Sequence, residues 1–488
     1  MDGLIAYILA KQYADDVGEA VKQQGFKVQV EQDRSILQTT GQEKIYYFLP
    51  KENAKPGDGY DEYIWTDASG WEQTGGTDVD LSTYATKEYL SQQIEAAQEI
   101  YVGEETPTGE EVVWIDTASQ PTPPEPPVPT ETVFGVAWDY SLSSPQLARL
   151  TSQTDPLGVV TTVPSQEPTA CIGNDGNGQS EFDNFMPWKG MRRVNYVNGQ
   201  VVDFVSYNNG ETFVYIPEFW SKIVSDTANG RMYFYIADSE VTGFTKHPGS
   251  GKYMSRYECN SNFLSAPGTK PKVSTNLGGF RTGITAIDNK HYQYDIHTYA
   301  ALELLYIIEF AHLNTQSKIG AGITSGSAAL TIGKTDILTY HTGKVDGTAD
   351  SKSAVQYRWI ENLWGNVWNW VDGILIQDGL VYICNDRANY ASSITNDYES
   401  TGLYAPTNSD WHKTDQDYNN CYLIPLTTGS SDSTYTCDYY HYNSGLRGLG
   451  VGSNYGYGSF AGLFCWAGHY APGAAYAAIG GRAVLILN

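Results

Sequence analysis

The chain is short of positive charge. Its 488 residues carry 30 Lys and Arg against 56 Asp and Glu, a formal net charge of −26. A phosphate backbone needs a basic footprint, so nucleic acid is not an expected partner, and anionic membrane surfaces are disfavoured for the same reason. No run of about 18 apolar residues occurs, which excludes a transmembrane helix from the expectation. The start, MDGLIAYILAKQYADD, lacks both a basic segment before its apolar run and an A-x-A site after it, so no signal peptide is read. The six cysteines form no CxxC and no regular spacing. Neither a zinc knuckle nor a disulfide framework is expected, and free thiols made in a reducing cytosol are the simpler reading.

One stretch lacks more. Residues 452–482, GSNYGYGSFAGLFCWAGHYAPGAAYAAIGGR, contain no Lys, Glu, Gln, Asp or Met. Tyr, Phe and His are scattered there among Gly and Ala. Tyr is abundant in the whole chain at 37 residues, and Trp reaches 12. Both rings supply contact area at low entropic cost and suit binding surfaces, although a β-rich fold also buries them.

The length predicts at least two domains. Residues 4–24 place Ile5, Ile8, Leu9, Tyr13, Val17 and Val21 at helical spacing. KIYYFLPKENAKPGDGYDEYIWTDASGWEQTGG alternates aromatic runs with turn signals and predicts a small antiparallel β unit. Leu90, Ile94, Ala97 and Tyr101 form a seam of about two heptads, or the face of an ordinary surface helix. EIYVGEETPTGEEVVWIDT predicts another short β element. Residues 119–131, SQPTPPEPPVPTE, predict an extended polyproline linker that closes an N-terminal region of modules, 1–118. The remainder, 132–488, is expected to be one α+β domain with a single long helix in HTYAALELLYIIEFAHLNTQ.

Catalytic signatures are scarce. There is no G-x-S-x-G, P-loop or H-E-x-x-H, and the eight His do not cluster at metal-ligand spacing. No catalytic residue, metal or cofactor is therefore assigned. Paired carboxylates from distant segments, as in glycosidases, and calcium bound by loop oxygens stay open.

The segment ENLWGNVWNWVDG, within 357–374, is similar to the G-N-V-W-E-W hallmark of C-type lectin folds of the formylglycine-generating-enzyme type. The final IGGRAVLIL resembles the closing strand of that fold. FDNFMPWKGMRR and FVYIPEFWSKI resemble upstream parts of phage versions, so the likeness spans most of 132–488. It implies that Trp364, Asn366, Trp368, Trp370, Trp466 and Arg482 are scaffold. Enzymes of this family need a C-terminal cysteine pair for copper, or a three-His iron site. Only Cys465 lies near the end here, with Cys437 well upstream, which weighs against catalysis.

What the domain resembles more is the variable protein of a diversity-generating retroelement, usually a phage tail protein. Such systems mutate adenines of Asn codons, and changes at the first two bases of AAC or AAT cannot yield Lys, Gln, Glu, Met or Trp. The resemblance implies a variable region at about 450–482, with Tyr455, Gly456, Tyr457, Phe460, Cys465, Ala467, His469, Tyr470, Ala474, Tyr476 and Ala478 as diversified ligand-binding positions. Gly458, Ala461, Gly462, Leu463, Phe464, Ala471, Pro472, Ile479 and Gly480 would be fixed. The implied function is a tail-tip or tail-fibre receptor-binding protein that adsorbs to a host-surface protein or glycan. Its partners would be that receptor and other tail proteins. It would be a homotrimer, part of the virion after synthesis in the bacterial cytoplasm, and would not insert into membranes. The alternatives are a metal-dependent oxidase of the formylglycine-generating or sulfoxide-synthase type, and a purely structural tail decoration.

Overall fold

The computed structural model describes residues 131–346 and 350–487, together with six strand backbones before them. The chain separates into two compact units, Met1–Pro127 and Val128–Asn488. The division falls inside the Pro-rich segment, whose residues 119–130 lie outside the described ones, as do 4–24 and the positions Leu90, Ile94 and Ala97.

In the first unit, Ile45–Pro50, Tyr60–Thr66 and Gly70–Thr77 form an antiparallel meander, and Lys27–Val30 adds in parallel to its edge. This is the β unit that the aromatic runs and turn signals predict. Glu99–Gly103 pairs in parallel with Val112–Asp116. Tyr101 therefore sits in a strand and is not the last position of a helical seam. The run Ile100-Tyr101-Val102 has β-branched and aromatic side chains that favour extended backbone.

The second unit is mostly β with few helices, more strand-rich than the α+β expectation. Its centre is the helix Ile296–Phe310, in which all fifteen residues are buried. A helix without a polar face must be enclosed on every side. Asp295 caps it by accepting hydrogen bonds from Thr298 N at 2.9 Å and Thr298 Oγ1 at 2.7 Å. The helix ends where Ala311 turns left-handed at φ 45°. Strands Val133–Asp139, Arg231–Ala237, Trp368–Gln377 and Tyr422–Thr428 pack against it.

Three main sheets make up the unit, and strands of two of them pack on this helix. A five-stranded antiparallel sheet is built on Trp220–Asp226, Arg231–Ala237 and Val133–Asp139. A six-stranded sheet takes the last strand of the chain, Ala483–Leu485, between Lys252–Ser255 and His291–Gln293. A nine-stranded sheet has Trp368–Gln377 near its centre, antiparallel to Leu446–Val451 and parallel to Ile479–Gly481. The two C-terminal strands Ile479–Gly481 and Ala483–Leu485 thus tie two sheets together across Arg482. Among the described residues no helix is long and apolar enough to cross a membrane. All six cysteines are buried and free.

Candidate functional site

Three of the tryptophans of 357–374 are wholly interior. Trp364, Trp368 and Trp370 have no exposed surface. Trp364 Nε1 donates to Gly320 O at 3.0 Å and Trp370 Nε1 to Thr275 O at 3.2 Å, so two of these large rings are also held by polar contacts. Asn366, in left-handed backbone at φ 60°, is buried and links three segments. Its Nδ2 donates to Glu258 Oε2 at 2.6 Å, its Oδ1 accepts from Leu330 N at 2.8 Å, and its carbonyl accepts from Tyr455 N at 3.1 Å. The first aromatic residue of 452–482 is thereby docked on the Trp segment.

The rest of 452–482 is pinned repeatedly. Gly452 adopts φ 82°, and a Cβ there would run into the Leu363 carbonyl. Phe464 N donates to Asp438 Oδ2 at 2.7 Å. Trp466 Nε1 donates to Tyr299 Oη at 3.1 Å, and that hydroxyl donates to Leu463 O at 2.7 Å. Arg482 is fully buried and donates to the carbonyls of Glu361, Asn362 and Arg256. Trp466 and Arg482 are therefore interior side chains.

Between these anchors the aromatic side chains gather on one face. Trp368 is its buried base, with edge contacts to His441 at 5.4 Å, Tyr457 at 5.8 Å and Tyr470 at 6.4 Å between ring centroids. Phe460 stacks on Tyr439 at 4.2 Å and meets Trp411 edge-on at 5.1 Å. His441 contacts Tyr457 at 5.2 Å and His469 at 5.3 Å. His469 lies against Tyr470, and Tyr470 against Tyr476 at 5.5 Å. The result is a continuous ring surface from Trp411 to Tyr476. Tyr457, Phe460, His469 and Tyr470 are half-buried in it, and Tyr476 is 57% exposed. Tyr455, Ala474 and Ala478 are partly exposed and Gly456 is open to solvent.

Cys465 and Ala467 are different and require a correction. Both have no exposed surface. They flank Trp466, which opens the strand Trp466–Gly468 between Tyr439–Tyr442 and Leu446–Val451. That strand is covered on both faces. Alternation sends Cys465 and Ala467 into the cluster around Trp368 and Trp370, and Trp466 into the larger core around the central helix. Neither position offers surface to a ligand.

Trp411, Tyr439 and His441 were not singled out from the sequence as ligand contacts. The signal was the alternation in Tyr439-Tyr440-His441-Tyr442: Tyr439 and His441 share the ring face while Tyr440 is buried beneath it. Burial without a compensating partner lowers both imidazoles, His441 to about 3 and His469 to about 4. Both rings are neutral at neutral pH. Among the described residues, His441 Nε2 and His469 Nδ1 have no hydrogen-bond partner.

At the Tyr476 end the surface dips into an open pocket of about 420 Å³, lined by Asn443, Arg447, His469, Tyr470, Ala474 and Tyr476 among others. Arg447 is its one charged lining residue. Among the described residues no group of three or more His, Cys, Asp or Glu side chains is placed to hold a metal ion.

No family model matches the chain, and no curated protein matches it. Several solved structures do. The Major Tropism Determinant U1 variant is 14% identical over 66% of this chain and 75% of its own, with a TM-score of 0.24. The P3c variant is 12% identical over 93% of this chain and 88% of its own, at 0.26. The M1 variant is 11% identical over 95% of this chain and all of its own, at 0.27.

Proposed function

We propose that the second unit is the receptor-binding domain of a phage tail-tip or tail-fibre protein. Its fold is of the C-type lectin, formylglycine-generating-enzyme type, and its ring surface adsorbs to a host-surface molecule. One observation carries this reading: the half-exposed rings of 455–476 are held on a segment fixed by the buried groups Trp368, Trp466, Asn366 and Arg482. Exposed side chains on such a frame can change without unfolding it, since surface substitutions usually cost within about 0.5 kcal/mol. Recognition residues displayed on rigid elements are what a site with a changing target requires. In this reading the segment is diversified by a retroelement, the protein carries out no catalysis, and the N-terminal modules join it to the tail and trimerise it.

The test is adhesion of the purified chain to a panel of bacterial cells. Replacing Tyr457, Tyr470 and Tyr476 together by Ala should abolish adhesion to the strains that the parent binds. Replacing the exposed Leu142 and Val205 by Ser should not. Adhesion unchanged in the triple variant would overturn the proposal and favour a purely structural role. Light scattering of the full chain tests the trimer, which a monomeric mass would contradict.

A further inference from the structure

The ring surface is not uniform, and its pocket carries chemistry that the aromatic patch alone does not explain. Arg447 donates from Nε to Ser444 O at 2.8 Å and from Nη2 to the same carbonyl. Among the described residues no carboxylate forms an ion pair with it, and Asp378 feels its charge only at longer range. Among the described residues its Nη1 has no hydrogen-bond partner. Beside it in the pocket lining are Asn443, Tyr470, Tyr476 and the neutral His469 ring. Asn443 and Arg447 lie outside 450–482, so the cation belongs to the fixed part of the site.

Building on the receptor-binding reading, we infer that this pocket binds a carboxylate-bearing sugar ring of a surface glycan, with Arg447 pairing the carboxylate and Tyr470 and Tyr476 covering the ring. A guanidinium edge matches the geometry of a carboxylate, and the bond is charge-assisted. Tyrosine rings suit the C–H face of a pyranose, and Asn443, whose Oδ1 accepts from Ser444 N, keeps its Nδ2 as a donor to ring hydroxyls. The pocket is open and about 420 Å³, wide enough for one sugar unit that continues into a chain outside it. An acidic peptide would meet Arg447 equally well but would leave the paired tyrosine faces without a ring to cover.

Saturation-transfer NMR on the full chain tests this with three probes: sodium glucuronate, glucose and sodium acetate. Glucuronate should receive saturation at its ring protons, while glucose and acetate should be at least several-fold weaker. Arg447→Gln should weaken glucuronate about tenfold or more, the effect of losing a charge-assisted hydrogen bond, without changing the melting temperature. Tyr476→Ala should weaken it by a smaller factor. Equal signals from glucuronate and glucose, an unaffected Arg447→Gln variant, or a Glu-rich peptide that binds where glucuronate does not would each overturn the inference. The two proposals fail separately. Arg447→Gln protein that loses glucuronate but still adheres to cells sinks the glycan assignment and leaves receptor binding intact. Glucuronate binding with adhesion unaffected by the tyrosine variants does the reverse.

Discussion

Gly462 lies directly over the carboxylate of Asp438, so close that a Cβ at 462 would overlap both of its oxygens. Asp438 is buried, its burial raises its pKa well above the ordinary carboxyl value, and one of its oxygens accepts from Phe464 N. A glycine in the middle of the aromatic stretch is thus a packing requirement of the core beneath it.

Gly462→Ala should therefore destabilise the second unit by about 1–3 kcal/mol, the usual cost of overpacking. Gly473, where a Cβ would meet nothing within 4 Å, is the control. Gly473→Ala should stay within about 0.5 kcal/mol. Denaturant midpoints of the two variants check this, and equal midpoints would contradict it.

Burial divides the aromatic stretch into positions that can vary and positions that cannot. Cys465→Leu or Ala467→Leu should cost about 1–3 kcal/mol, because both pack against the Trp368 and Trp370 cluster. Tyr476→Ala, at 57% exposure, should leave stability unchanged to within about 0.5 kcal/mol. The same denaturation series reads all three.

Arg482 holds three backbone carbonyls from a fully buried position. Its charge also opposes the burial that pushes Glu258 up to about 8. Arg482→Met should cost about 3–5 kcal/mol, the range for breaking a buried charged contact. Loss of cooperative unfolding in calorimetry would be an equally supportive outcome, and an unchanged transition would contradict it.

The two histidines of the ring surface give a pH dependence of known sign. Their folded values of about 3 and about 4 lie below the ordinary 6.5, so the unfolded chain binds protons more readily. Their stabilisation is complete above about pH 6.5 and is lost as the pH falls toward 4. Glu258 acts in the opposite sense, with stabilisation complete below its ordinary 4.5 and lost as the pH rises through about 8. Replacing His441 and His469 by Phe removes the first contribution only. The variant should lose less melting temperature than the parent between pH 7 and pH 5.

Much of the scaffold was legible in the sequence. The helical pattern in HTYAALELLYIIEFAHLNTQ gave the central helix, and the family resemblance of the Trp segment gave its buried tryptophans. The run IGGRAVLIL gave a closing strand, while its division at Arg482 between two sheets depends on pairing with distant strands. The inner and outer faces of 452–482 were harder to read. Alternation separates Tyr476 from Cys465 only once it is known that Trp466–Gly468 is an interior strand, covered on both sides. Trp411, Tyr439 and His441 join the ring cluster by pairing with that strand or its neighbours across distant stretches of chain. Such long-range pairing leaves no mark at any one position.

The most direct measurement is deep sequencing of the gene's last portion in a population grown from one phage. If the ring surface is a diversified receptor site, the account predicts substitutions at codons 455, 456, 457, 460, 469, 470, 474, 476 and 478, whose residues are exposed or half-buried. It predicts none at Gly462, Cys465, Trp466, Ala467 or Arg482. A uniform sequence, or substitutions spread evenly over 132–488, would contradict the claim that the ring surface is a diversified receptor site.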